Sequence, residues 1–273
     1  METDLYVGGW DNPSQQAVFG KIDSKTGAYT QISSGLGLDQ DSYSALAWDP
    51  GISAFYTRSM EGWFNTITKT GVTGHPSKTN QRRRAHLAYH PPRQGLYYFA
   101  EKNDEVHSLS INGQVLPNNS NTAEFFKMAE SYIKFLPDNF PPGISFFEVS
   151  PQILEILQSL AFLEKRLCCI YEERIPNQEV EMTIGPRFSD PYDIRYGFFD
   201  LKKRTIQPIS PPDRKYKGMR LAYDGSTLFG LNDYTLYTLN PETGAYTQVA
   251  KVTGISEGNT MLECMSAIPV IAS

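Results

Sequence analysis

The hexapeptide Thr-Gly-Ala-Tyr-Thr-Gln occurs twice in this chain, at residues 26–31 and again at 243–248, 217 positions apart in a total of 273. An identical pair at the two ends of a chain limits the fold to a few possibilities, of which a series of related units is the most restrictive. Each copy follows a short apolar run and a turn residue. Phe19-Gly20-Lys21-Ile22-Asp23 precedes the first, and Leu236-Tyr237-Thr238-Leu239-Asn240 precedes the second. An Asp or Asn side chain can fold onto the backbone two residues ahead, and a following Gly accepts the positive φ that closes a hairpin. Both copies therefore read as strand, turn, strand.

A series also needs members between its ends, at an even spacing. Segments beginning at Trp63, Val106, Ile153 and Tyr196 repeat the strand and turn pattern. The apolar residues before the turns are Ile22, Ile67, Leu109, Leu157, Phe199 and Leu239, with intervals of 45, 42, 48, 42 and 40 residues. A period of roughly 40–45 residues with four short strands per unit is that of a propeller blade. First strands are expected at residues 44–50, 85–91, 131–137, 167–173 and 219–225. Their alternation pairs Leu46 with Trp48, Leu87 with Tyr89, Ile133 with Phe135, Cys169 with Tyr171, and Leu221 with Tyr223. Second strands follow as AFYTRS, GLYYFAE, ISFFEV, EVEMTIG and TLFGLND.

The chain ends complement each other. Residues 4–10 begin directly on a second-type strand, and residues 266–270 match the first-type strand 44–48. Joined, they complete one blade and remove the open edge of the ring. Pro269 is tolerated there because an innermost strand has one edge facing the channel. The expectation is an all-β, single-domain protein over 1–273, a six-bladed β-propeller with the C-terminal strand completing the N-terminal blade.

The competing reading lies at residues 150–173. There a Ser cap, a Pro at the first helical position and apolar residues at 153, 156, 157, 160, 163 and 167 give a helical series. A helix there would leave five blades and a helical insertion near 122–178. The even spacing favours six.

The stretch LAYDGSTLFGLNDYTLYTLNPETGAYTQV resembles a blade of bacterial β-propeller repeat proteins, in which a strand, Asp or Asn-Pro, a turn, Thr-Gly and a strand recur. The resemblance covers the whole chain as architecture and is sharp in the first and last blades. It implies the fold and its circular closure. It implies no single activity, because propellers of this kind serve as binding platforms, lectins and enzymes.

A net charge of −5 and a pI near 5.5 disfavour nucleic acid or an anionic membrane as partner. No apolar run of about 18 residues is present to span a bilayer. Residues 1–4 have neither the basic start nor the apolar centre of a signal peptide, with an exported origin and the compartment left open. Three cysteines, two adjacent as Cys168 and Cys169, form neither a disulfide framework nor a spaced zinc motif and are expected as buried free thiols.

In a propeller, the loops joining second to third strands and blade to blade share one face. Here those loops are long, varied and charged, and the opposite set consists of short standard turns, so a binding surface is expected on the first face. Its candidate residues are Trp10, Asp11, Glu61, Arg84, Asp104, Tyr192, Asp193 and Asp233. Recurring acids and amides there could ring a hard cation such as Ca²⁺, or simply make the turns. The four histidines, His75, His86, His90 and His107, fall close together. His86 and His90 sit at opposite ends of one strand, roughly 13 Å apart and too far for a shared metal. No nucleophile elbow or phosphate loop is present. Trp48 and Trp63 are expected to pack between blades. Asn118 opens a glycosylation sequon.

The leading expectation is a monomeric binding or interaction module with a protein, small-molecule or glycan ligand on the variable face. The alternatives are a metal-dependent hydrolase or lactonase-like enzyme at the channel mouth, and a carbohydrate-binding lectin.

Overall fold

A computed structural model of the chain describes residues 3–34, 43–59, 63–79, 86–90, 95–100, 106–108, 144–148, 157–163, 166–174, 192–200, 203 and 205–268. Its regular structure is almost entirely β-strand, arranged as sheets around a central channel. Sheet 1 contains β1 (Asp4–Asp11), β2 (Gln16–Asp23) and β3 (Tyr29–Ser34). Sheet 2 contains β4 (Tyr43–Asp49), β5 (Ala54–Ser59), β6 (Trp63–Thr68) and β7 (Thr73–Thr79). Sheet 3 starts with β8 (His86–His90) and β9 (Gly95–Ala100). The chain then adds β10 (Val106–Ser108) to the outer edge of β7, and β11 (Ile144–Glu148) parallel to β9. Sheet 4 contains β12 (Leu157–Leu163), β13 (Arg166–Arg174), β14 (Tyr192–Asp200) and β15 (Thr205–Pro208). Sheet 5 contains β16 (Arg220–Tyr223), β17 (Leu228–Asn232), β18 (Thr235–Leu239) and β19 (Tyr246–Lys251). The last strand, β20 (Thr260–Ala267), returns to pair antiparallel with β1.

Four of these sheets carry four successive antiparallel strands and are complete blades. The third is three-stranded among the described residues. The innermost strands β20, β4, β8, β12 and β16 touch in cyclic order, so among the described residues the arrangement is propeller-like, with four complete blades and one three-stranded sheet rather than six blades. The six-blade count fails at Leu157, placed by its spacing before a third-to-fourth-strand turn. It instead opens the innermost strand of sheet 4, and residues 167–173, expected as a first strand, belong to the second. The discriminating signal is Leu-Ala-aromatic. It occurs as Leu46-Ala47-Trp48, Leu87-Ala88-Tyr89, Leu160-Ala161-Phe162 and Leu221-Ala222-Tyr223, once in each of four innermost strands. Expected strands at 131–137 and 179–185, the anchor Leu109 and the sequon at Asn118 lie outside the described residues.

The helix of the competing reading over 150–173 is not formed across its described part, where β12 and β13 make a hairpin. The physical reason is burial on both faces. Leu157, Leu160 to Leu163 and Leu167 to Tyr171 are all buried. A strand buried on both faces needs apolar residues at almost every position, and such a run satisfies a helical period by default.

The core consists of layers between sheets. Tyr6 of sheet 1 packs on Phe55 of sheet 2 with ring centroids 4.6 Å apart, and Trp48 meets Phe55 within sheet 2 at 4.8 Å; the cluster that holds all three joins the two sheets, the inter-blade setting expected for this Trp. A second layer joins Ile170 and Tyr196 to Leu221 and Leu239, and a third joins Leu231 and Leu236 to Leu5 and Val7. Each such side chain, fully buried, contributes roughly 1.5–3 kcal/mol. Cys168, Cys169 and Cys264 are buried free thiols in these layers.

Both copies of the repeated hexapeptide form the expected turn. Asp23 Oδ1 accepts from the backbone N–H groups of Lys25 at 3.0 Å and Thr26 at 2.7 Å, and Gly27 has φ 73°. Asn240 Oδ1 accepts from Glu242 N at 2.9 Å, and Gly244 has φ 73°. The turns lie on neighbouring sheets. Tyr29 N donates to Thr253 O at 2.9 Å and Thr253 N donates to Gly27 O at 3.0 Å, directly across the closing seam. The closing strand runs over 260–267 rather than 266–270. Val7 opposes Met265 as Thr57 opposes Leu46, so Met265 stands level with the leucines of the other inner strands. Pro269 lies outside the described residues.

Candidate functional site

An innermost strand has one edge without a strand partner, so its backbone groups need other acceptors and donors. Small polar side chains from adjacent inner strands supply several. Ser266 Oγ accepts from Trp48 N at 3.1 Å, and Ser159 Oγ accepts from Leu221 N at 2.8 Å. His86 Nε2 lies 3.2 Å from Leu157 O. Arg220 Nε donates to the carbonyl of Glu263. Each bond joins one sheet to the next.

Within this ring the described residues line two chambers of the channel. Leu46, Leu87, Leu160, Leu221 and Met265, one from each inner strand, line both. The smaller chamber, about 60 Å³, continues past the alanines Ala47, Ala88, Ala161 and Ala222. The larger, about 280 Å³, opens at the end where the inner strands begin, on the face carrying the loops between second and third strands. Its wall above the apolar girdle holds Ser44, His86, Gln158, Ser159, Glu172, Lys217, Arg220 and Glu263.

Local structure fixes several of these groups. Gln158, on β12, donates through Nε2 to Glu172 on β13 and accepts from Gly218 N at 2.9 Å. One amide thereby ties sheet 4 to the segment entering sheet 5. That segment is a 3-10 turn over Arg214–Tyr216 capped by Asp213, whose Oδ1 accepts from Lys215 N at 2.9 Å. Its buried Tyr216 donates through its hydroxyl to Gly244 O at 2.8 Å, and Tyr246 donates to Asp213 Oδ2 at 2.7 Å. Lys217 is thus held at the rim by the turn that carries the second hexapeptide. Cys264 also lines the chamber, and burial pushes its thiol up to about 12, leaving it a neutral thiol rather than a nucleophilic thiolate.

The residues expected from sequence lie around this chamber rather than in its wall. Asp11 closes the β1–β2 loop, accepting from Ser14 N at 3.1 Å, Ser14 Oγ at 2.6 Å and Thr260 Oγ1 at 2.8 Å. The hydrogen bonds from Ser14 and Thr260 hold its carboxyl below the usual carboxylate range. Asp233 makes the β17–β18 turn with φ 49°. Asp193 contacts Arg195 at 3.3 Å, and Arg195 also pairs with Glu173 at 2.7 Å. The two carboxylates face each other across the β13–β14 ladder, and the guanidinium offsets their repulsion. Asp11 and Asp233 therefore make turns, the simpler of the two readings given for the recurring acids. Trp10 is half-buried on β1, against Ala17 and Met261 in the ladder. Tyr192 opens β14. Glu61, Arg84 and Asp104 lie outside the described residues. Among the described residues, no group of three or more His, Cys, Asp or Glu converges on a possible metal position. His86 is buried in the chamber wall, and His90 ends the same strand.

Gln158, Glu172, Lys217, Arg220 and Glu263 were not singled out in the sequence. Three of them, Gln158, Arg220 and Glu263, lie within two residues of the Leu-Ala-aromatic signal or of Met265 at the same level, which is the local signal that points to them.

No family model matches the chain, and no curated protein matches it. Among solved structures, the chain is similar to one described as "The de novo evolutionary emergence of a symmetrical protein is shaped by folding constraints". Their identity is 12%, the match covers 98% of this chain and 100% of that one, and the TM-score is 0.47.

Proposed function

We propose that this protein is a binding module that takes a small polar ligand at the mouth of its central channel, on the face with the varied loops. The observation that carries this reading is the 280 Å³ chamber, where charged and hydrogen-bonding side chains converge above an apolar girdle. Pockets for small molecules pair an apolar lining with placed polar groups, and this chamber is the richer in polar groups, which suits a polar ligand. The volume lies just below the usual range of roughly 300–1,000 Å³, which suits a compact ligand.

The inner-strand bonds provide the rigidity that such a site requires, because the wall residues other than Lys217 stand on paired strands, and Lys217 is held by the anchored 3-10 turn. A sugar-binding role gains no support at this position, since among the described residues no Trp, Tyr or Phe lines the chamber to stack on a sugar ring. The kinship with bacterial β-propeller repeat proteins is retained as part of the proposal, resting on the resemblance of the last blade.

The test is a thermal-shift screen of the full chain against a panel of small metabolites, repeated with Ser44→Trp. Ser44 is half-buried at the rim, and an indole there fills the mouth without entering an inter-sheet layer. Ligands that stabilise the native protein are expected to lose their effect on the folded variant. A panel whose hits act equally on both proteins places binding elsewhere and ends this reading.

A further inference from the structure

The wall of the chamber is not uniform in charge. In the cyclic order of the inner strands, sheet 4 contributes Glu172, sheet 5 contributes Lys217 and Arg220, and sheet 1 contributes Glu263 through β20. The opposite arc, from sheets 2 and 3, presents Ser44, Ala45 and His86 and no carboxylate or ammonium among its described residues. Two acids and two bases thus share one side of a small chamber. The floor beneath them is aliphatic on every side.

We propose that the ligand is a zwitterionic α-amino acid with an aliphatic side chain, an assignment that rests on the binding reading above. A plain anion entering this site meets two carboxylates, and a plain cation meets an ammonium and a guanidinium. A ligand carrying both charges on groups attached to one carbon pairs favourably with each. The amino acid places its carboxylate toward Arg220 and Lys217 and its ammonium toward Glu172. Its side chain then descends onto the girdle of Leu46, Leu87, Leu160, Leu221 and Met265, whose burial supplies the apolar part of the affinity. The position of Gln158 supports this orientation. It is bonded both to Glu172 and to the backbone of Gly218, so the acid on one side and the Lys217 segment on the other are held at a fixed separation.

The experiment is calorimetric titration of the full chain with L-leucine, 4-methylpentanoate and 3-methylbutylamine, which share a branched aliphatic tail. The first carries both charges, the second only the carboxylate and the third only the ammonium. Leucine is expected to bind about tenfold or more tightly than either analogue. Glu172→Gln is expected to remove the advantage of leucine over 4-methylpentanoate, and Arg220→Gln its advantage over 3-methylbutylamine. Because Arg220 also bonds to Glu263, Lys217→Ala, at an exposed rim position, gives a second reading of the carboxylate side. If leucine binds no tighter than its singly charged analogues, or not at all at millimolar concentration, the zwitterion assignment is wrong. In that event a metabolite hit abolished by Ser44→Trp would leave the binding module standing with another ligand class, and its absence would remove both.

Discussion

The closing seam between sheets 1 and 5 and the mouth of the channel are built on opposite plans. At the seam, the first copy of the repeated turn places Asp23 on the following amides and Gly27 at φ 73°, and backbone bonds to Thr253 join the sheets, while the second copy, with Asn240 and Gly244, repeats this geometry where sheet 5 meets sheet 4. At the mouth, each inner strand contributes a different residue at the same level. Ala45, His86, Ser159, Arg220 and Cys264 all stand one position before the girdle. Repetition marks positions where geometry alone is required. Variation over a repeated frame marks positions where chemistry is free to differ, and the proposed ligand site lies there.

The largest effect that would break this contrast is expected beside the seam, where β20 closes sheet 1 on β1. A Cβ built on Gly9 falls 1.9 Å from the backbone oxygen of Met261, across the β1–β20 ladder. Gly9→Ala must therefore separate the closing strands, and a loss of about 3 kcal/mol is expected in denaturant unfolding. A change below about 1 kcal/mol would show that closure contributes little to the ring.

Ser159→Ala comes next. It leaves the amide of Leu221 without its acceptor beside the girdle, at an expected cost of about 1–2 kcal/mol. Hydrogen exchange should locate the loss in β16 rather than across the whole ring. An unchanged exchange rate in β16 would mean that the inner strands are not stitched by these side chains.

Asp23→Ala removes the acceptor for three hydrogen bonds of the first turn, with about 1 kcal/mol expected. Asp23→Asn instead copies the second turn, where Asn240 does the same work. At neutral pH its expected cost is under about 0.5 kcal/mol. The pH profile separates the two residues. Hydrogen bonds from the Thr26 backbone and hydroxyl and from the Lys25 amide hold the Asp23 carboxyl below its ordinary value. A depressed folded pKa contributes stability that is present above the unfolded pKa of about 3.9 and is lost as pH falls through the folded value. Asp23→Asn should flatten that acid limb of a pH-dependent melt, and an unchanged limb would assign the acid sensitivity to other carboxylates such as Asp11.

The smallest effect on stability is expected at the mouth. Glu172→Gln keeps an acceptor for Gln158 on a half-buried position and should change the unfolding free energy by less than about 0.5 kcal/mol. A large shift would make Glu172 a structural group and blur the division between seam and mouth.

Much of the ring was legible because its signals are local. The Asp23 and Asn240 turns, the inter-blade place of Trp48, the buried thiols and the return of the last strand to the first all follow from short-range chemistry that the residues carry with them. The sheet count was not, because Leu157 and the run after it are apolar at nearly every position, and burial on both faces erases the alternation that separates strand from helix. The site was legible only as a face. Acids at the loop ends, such as Asp11 and Asp233, look like ligands in a one-dimensional reading, yet Asp11 accepts from Ser14 and Thr260 and Asp233 supplies the positive φ of its turn.

By itself the sequence determined strands, turns and circular closure, since each depends on residues near one another in the chain or on an edge that must be covered. Only the tertiary structure decided which residues share the channel mouth. Glu172, Arg220 and Glu263 come from three different sheets, and nothing in their sequence spacing encodes the angular order of the inner strands that brings them to one wall.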